Sequence, residues 1–206
     1  MQPAIHGDAY WAGTHAHPEV YTYLPFGPFP TLAAFLAYID ERWGRSPEHV
    51  LFAMLAKSKP SGALTFAGIC GYLNTSAANL STEIGALICV PAFQRQGITA
   101  AAVALLMQYA LRLPREGGLG LRRVQWQAHQ QNARSIGLAR KHGFQLEGII
   151  RWQRVLPGHK VGLNPREGDV RQETKGRHTA LLSVCWDDWE QGVKEHICRP
   201  GQVMYE

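Results

Sequence analysis

The chain predicts an α/β protein in which one mixed β-sheet is flanked by helices, and three observations carry that expectation. Three apolar, strand-like runs cluster between His49 and Val90. From Glu83 onward the pattern alternates as β-α-β-α-β-β, the order expected of a sheet covered by helices. The apolar run Ile84 to Val90 also enters a tight, glycine-bearing turn, and a long Ala/Leu helix leaves it.

Taken in order, Val20 to Tyr23 reads as a short strand ending at the turn-rich Leu24-Pro25-Phe26-Gly27-Pro28. Thr31 then caps a helical run, Leu32 to Ile39, whose apolar residues recur at helix spacing. His49 to Leu55 and Leu64 to Leu73 bracket Lys57 to Gly62 as a hairpin, and Glu83 to Val90 is the third strand of the group. A helix over Thr99 to Leu113 stops before Pro114, with Gly117-Gly118 in the next loop. Arg123 to Gln127 is a short buried strand. Ala133 to His142 is a helix ended by Gly143, a residue that accepts positive φ. Leu146 to Val155 and His178 to Trp186 form a final antiparallel pair. The Gly-, Pro- and charge-rich stretch between them, 157–177, is expected to be a long mobile loop.

The 206 residues suit one domain, 1–206, with its core over about 11–189 and one sizeable interior. An apolar content of 46% with 18% charged residues describes a globular chain rather than a disordered one. No apolar run approaches the roughly 18 residues of a membrane span, and Met1 to Val20 is too polar for a secretory signal, so a cytoplasmic protein is expected. The cysteines Cys70, Cys89, Cys185 and Cys198 form no C-x-x-C pair. The histidines, His15 and His17 included, do not fall at zinc-site spacing, so no metal is expected.

The net charge of +5 is concentrated. Residues 95–154 hold ten Arg/Lys against two acids, whereas 1–94 hold four against six. Nucleic acid is one partner for such a patch. No nucleic-acid motif accompanies it, however, and the excess flanks the strand–turn–helix segment Pro91 to Ala100. At a helix start the first N–H groups lack intrahelical acceptors and the dipole favours an anion, so a polyanionic cofactor accounts for the patch more economically.

Downstream come Asn132-Ala133-Arg134-Ser135, then Lys141-His142-Gly143-Phe144, then Leu146-Glu147-Gly148. From about Trp11 to Trp189 the order and separation of these pieces resemble the GCN5-related N-acetyltransferases (GNAT), specifically their RimJ/RimL-like branch. That family's Gln/Arg-x-x-Gly-x-Gly/Ala turn is matched by Gln94, Gly97 and, imperfectly, Thr99. The resemblance implies a GNAT-like sheet splayed near its middle to admit pantetheine, with acetyl-CoA as cofactor. It also implies transfer of an acetyl group to a primary amine by direct attack in a ternary complex. The cofactor residues it implies are Cys89 and Val90 at the strand end and Gln94, Arg95, Gln96, Gly97, Ile98, Thr99 and Ala100 in the turn, with Asn132 and Ser135. The acceptor is then an amine on a small molecule or a protein N-terminus, with no membrane partner and no implied oligomeric state.

Acyl transfer from a thioester to an amine needs a deprotonated amine, because a free alkylammonium (pKa about 10) has no nucleophilic lone pair at neutral pH. It also needs a donor for the oxyanion, and help for the departing thiolate. Glu83, opening the strand that feeds the turn, is the leading base candidate, or else a solvated strand-end acid. Ser135 is the candidate acid, or else a helix cap. Asn132 is the candidate pantetheine ligand, with capping as its alternative. Two departures from the family matter. Ala139 stands where many members carry a tyrosine acid, and His129 stands where branch members carry an acid, making His129 a second base candidate. Glu147 reads as structural, while Trp11, Tyr23, Phe26, Trp126 and Trp152 are candidates to line an acceptor pocket. Transfer of a bulkier acyl group such as succinyl, and a non-catalytic CoA-binding or nucleic-acid-binding module, are the rival readings.

Overall fold

The structure, a computed structural model, describes residues 1–57 and 61–197. The tip of the Lys57 to Gly62 hairpin and Cys198 lie outside the described residues. Six strands form one sheet in the order β1-β2-β3-β4-β6-β5. They are β1 (Val50–Lys57), β2 (Leu64–Ser76), β3 (Ser81–Cys89), β4 (Arg123–His129), β5 (Gln145–Pro157) and β6 (Thr174–Cys185). Every pairing is antiparallel except β3 with β4. The helices are α1 (Pro3–Thr14), α2 (Leu32–Ile39), α3 (Ile98–Leu111) and α4 (Ala133–Lys141), with short helical turns from Trp186 to Ile197.

The parallel β3–β4 pairing is brief, running only from Ser81↔Arg123 to Glu83↔Gln125. Beyond Glu83 the two strands part. A bulge in β3 accompanies the divergence: β2 advances from Ile69 to Gly71 while β3 needs Gly85 to Ile88, and Ala86 takes φ 51°. An extra residue in one strand bends it and sharpens its twist, which turns β3 away from β4. The sheet is therefore open in its middle, as expected.

Two apolar layers close the sheet. Val103 and Met107 of α3 pack with Ile84, Val124, Trp126, Leu182 and Val184 on one face. Tyr10 of α1 and Phe35 of α2 pack with Leu51, Ile69 and Ile88 near β1 and β2. Helix α1 lies outside the sequence expectations because only Gly7, Tyr10 and Thr14 of it are buried, too narrow a stripe to show a helical period. Val20 to Tyr23 is not a strand: Pro18–Tyr21 forms a 3₁₀ turn. Its β-prone residues have no sheet edge to join, and the buried Tyr21 hydroxyl is held 2.6 Å from that of Tyr10. The loop expected over 157–177 is shorter, since β6 already begins at Thr174, and it is held rather than free. Lys160, buried, donates through Nζ to the carbonyls of Tyr21 (2.8 Å) and Phe26 (2.9 Å), and Leu163 bridges to Gly176.

Candidate active site

The turn between β3 and α3 has the shape an anion needs. Gly97 is the N-cap of α3 in the left-handed conformation (φ 80°), and no side chain caps the helix. The first helical bond runs from Ala101 N to the Gly97 carbonyl at 2.9 Å, so the N–H groups of Ile98, Thr99 and Ala100 have no backbone acceptor among the described residues. A Cβ on Gly97 would meet nothing within 4 Å, so the turn is open where that side chain would stand. Arg95, exposed, also takes positive φ (64°). Gln94 and Gln96 brace the turn by donating to the carbonyls of Cys89 (3.3 Å) and Ala92 (2.8 Å). Free N–H groups, an αL glycine and a nearby arginine suit a pyrophosphate. At the far end of α4, His142 ties this turn to the next motif, its Nε2 lying 2.9 Å from the Ala100 carbonyl.

Glu83 sits where β3 and β4 part, and it is 3% exposed. Its Oε2 accepts a hydrogen bond from Asn74 Nδ2 at 3.1 Å. Burial pushes its pKa above the usual carboxylate value, and the positive charges of Arg154, Arg177 and Arg42, with the Asn74 bond, offset only part of that rise. Glu83 is thus not a solvated strand-end acid but a buried carboxylate with raised basicity. Asn74, whose left-handed φ of 50° is one asparagine tolerates, was not singled out from sequence, and neither was His49, whose Nδ1 accepts from Asn74 N at 3.0 Å.

The start of α4 separates two roles that spacing leaves mixed. Asn132 is the N-cap, its Oδ1 accepting from Ser135 N at 3.1 Å. Ser135 is therefore not the cap. Its Oγ accepts from the indole Nε1 of Trp126 at 2.9 Å, which leaves the hydroxyl proton available for a further acceptor. Trp126 itself is buried in the apolar layer facing α3 and α4, away from the Glu83 face, so it supports Ser135 and does not line an acceptor pocket.

His129, 2% exposed, is poorly built as a base. Its Nδ1 accepts from Gln131 N at 3.1 Å, which in the neutral ring leaves the proton on Nε2. No partner meets hydrogen-bond geometry at Nε2, although the Val161 carbonyl lies near enough to favour its proton. Burial and then the Arg177 charge lower its pKa, so the ring is neutral with no lone pair free. Tyr23 lies against it, ring centroids 5.3 Å apart. Trp152 is 54% exposed on β5, and Trp11 stacks on His15. Glu147 is structural as expected, gripping Arg123 through two 2.6 Å bonds and accepting from Ser183 at 2.8 Å.

Among the described residues, Cys185, Asp187 and Asp188 bring possible metal-ligand atoms within 4.8 Å of one another. Asp188 is already committed there, accepting from Cys185 N (2.9 Å) and from Gln145 Nε2 (2.6 Å).

The comparisons agree with this geometry. The chain belongs to the acetyltransferase (GNAT) domain family, whose model matches residues 2–145. Among solved structures, a probable acetyltransferase of the GNAT family from Chromobacterium violaceum is 27% identical with a TM-score of 0.73, covering 92% of this chain and 82% of that one. A GCN5-related N-acetyltransferase from Brucella melitensis is also 27% identical, with a TM-score of 0.72 and coverage of 97% and 80%. The spermidine N-acetyltransferase from Vibrio cholerae, solved with CoA and spermine, shares the fold at 11% identity and a TM-score of 0.65, covering 92% and 95%. No curated protein matches the chain significantly in sequence. The family makes the protein an acyl-CoA-dependent N-acyltransferase.

Proposed function

We propose that the protein is a cytoplasmic, single-domain N-acetyltransferase of the RimJ/RimL-like branch, moving an acetyl group from acetyl-CoA to a primary amine by direct attack. The observation that carries this reading is the position of Glu83: a buried carboxylate at the last β3–β4 pair, where the strands open. Among the described residues no helix is long and apolar enough to cross a membrane, which fits the expected compartment.

In this reading the backbone N–H groups of Ile98, Thr99 and Ala100 hold the pyrophosphate, with Arg95 beside them. Asn132, whose carbonyl oxygen is used by the cap, offers its Nδ2 to pantetheine. When bound, acetyl-CoA supplies the activated acyl carbon. Glu83 removes a proton from the acceptor ammonium, and its raised basicity suits that task better than an ordinary carboxylate would. The amine nitrogen bonds to the acyl carbon and gives up its second proton to solvent as the carbon–sulfur bond breaks, and Ser135 gives its hydroxyl proton to the departing sulfur, to be restored from solvent. Holding both reactants together supplies the rest without a covalent enzyme intermediate.

The test is thiol release from acetyl-CoA across a panel of amines, parent against Glu83→Gln. Release that depends on an amine and is lost in the variant supports the assignment. Release that persists in Glu83→Gln removes Glu83 from the chemistry, and failure of the protein to bind acetyl-CoA removes the reading itself.

A further inference from the structure

Opposite the apolar layer, β4, β5 and β6 present a polar face. Strand alternation puts Gln125, Gln127 and His129 of β4 on it, with Arg177, Thr179 and Ser183 of β6. A bulge in β5, with Trp152 at φ 53°, aims Gln153 and Arg154 at the same place, where both donate to Gln127 Oε1 at 3.0 and 3.3 Å. Glu83 adjoins this face through its register partner Gln125.

Two features of the face are costly for a merely structural surface. Arg154 and Arg177 are direct cross-strand partners, and like charges placed opposite each other destabilise a sheet. Neither forms an ion pair among the described residues. Arg177 is 4% exposed, and its side chain makes no hydrogen bond there. Its guanidinium is held below its ordinary pKa, at about 10, first by burial and then by Arg154. The second feature is unmet hydrogen bonding. Arg154 Nε, Arg177 Nε, Thr179 Oγ1 and Gln153 Oε1 are buried without partners, and three of these four are donors. Folding tolerates such groups where a ligand completes them. A donor-rich, doubly cationic cluster beside one carboxylate calls for an anion with paired acceptors, which is the match of guanidinium to carboxylate.

We propose that Arg154 and Arg177, with Thr179, bind a carboxylate carried by one of the two reactants: an acidic amine as acceptor, or a dicarboxylic acyl group on the CoA thioester. The inference rests on the acyl-transfer reading above and narrows its substrate class. It sets this protein apart from a polyamine acetyltransferase, because a polycationic acceptor would meet two like charges, the buried Arg177 and the half-buried Arg154, beside Glu83.

The experiment compares matched pairs. With acetyl-CoA, the acceptors are an amino acid and its carboxamide. With a neutral amine, the donors are succinyl-CoA and acetyl-CoA. The parent is expected to favour the carboxylate-bearing member of one pair, which identifies the source, and Arg177→Gln to raise its KM by about 10–100-fold relative to the neutral member, whose smaller change reads the lost charge near Glu83. Thr179→Val, which keeps the side-chain shape, should show the same selective effect more weakly and covers the case in which Arg177→Gln fails to fold. A parent indifferent to the carboxylate in both pairs overturns the proposal, as does an equal loss for charged and neutral members. Thermal shift by N-acetylglycine needs no turnover. Stabilisation of the parent that is absent in Arg177→Gln supports the site even if no thiol is released, and its absence in the parent counts against the site independently of acyl transfer.

Discussion

Asn74 and Glu83 are joined across neighbouring strands by a 3.1 Å bond from the amide nitrogen to the carboxylate, and the backbone of Asn74 is itself held by His49 Nδ1. Asn74 is thus a positioning residue for the proposed base. A bond to the charged carboxylate favours ionisation, so it restrains the rise in pKa that burial causes. In Asn74→Gly, which keeps the left-handed backbone and removes the amide, the acidic limb of the pH–rate profile should move to higher pH. An unmoved limb with a uniformly lower rate would make Asn74 structural only.

Glu83→Gln should lower kcat by about 10²–10⁴-fold, the range for loss of a general base. His129→Gln should do far less, since neither ring nitrogen is free to accept a proton. The stability of the two Glu83 forms should also diverge with pH. A carboxyl whose folded pKa is raised contributes stability that is fully present below its unfolded value, near 4.5, and lost as pH rises through the folded value. Thermal denaturation from pH 4 upward should therefore shift in favour of Glu83→Gln as pH increases.

Asn132 and Ser135 can be told apart by which property each variant loses. Asn132→Ala removes the α4 cap and should cost about 0.5–2 kcal/mol of stability. Ser135→Ala leaves that cap intact but strands the buried indole N–H of Trp126, at a cost of about 1–3 kcal/mol. Only Ser135→Ala should lower turnover per folded molecule with acetyl-CoA affinity nearly kept, and a thioester with a better leaving thiol should recover much of the rate. Equal turnover in parent and folded Ser135→Ala would leave solvent as the proton source.

At Gly97 two substitutions separate strain from occupancy. Its φ of 80° costs a valine about 1–2 kcal/mol, whereas asparagine tolerates that region. Both side chains would enter open space at the turn that leads into α3. Calorimetry should show acetyl-CoA affinity falling in Gly97→Asn with little loss of Tm, and in Gly97→Val with a clear loss of Tm. Unchanged affinity in folded Gly97→Asn would mean that the pyrophosphate sits elsewhere.

How far each feature was legible in the sequence follows the range of the interaction that makes it. Helix α2 with its Thr31 cap, the strand–turn–helix at Pro91 to Ala100 and the Asn132/Ser135 spacing are local. Each rests on side-chain period, a glycine that accepts positive φ, or a helix end within a few residues, all of which are written contiguously in the chain. Whether Asn132 or Ser135 caps α4 turns on where the backbone enters helical geometry, a boundary that spacing leaves open by a residue or two. The surroundings of Glu83 are not local at all. Arg154 and Arg177 reach it through strand register and a bulge, and Asn74 through a hairpin partner. Lys160, which burial lowers to a pKa of about 8, pins its loop by reaching carbonyls of a segment far earlier in the chain. The sequence by itself determined the order of elements from α2 to β6 and the residues available for the chemistry. Only the tertiary structure decided which of them meet, because a one-residue change of register or bulge sends a strand side chain to the opposite face of the sheet.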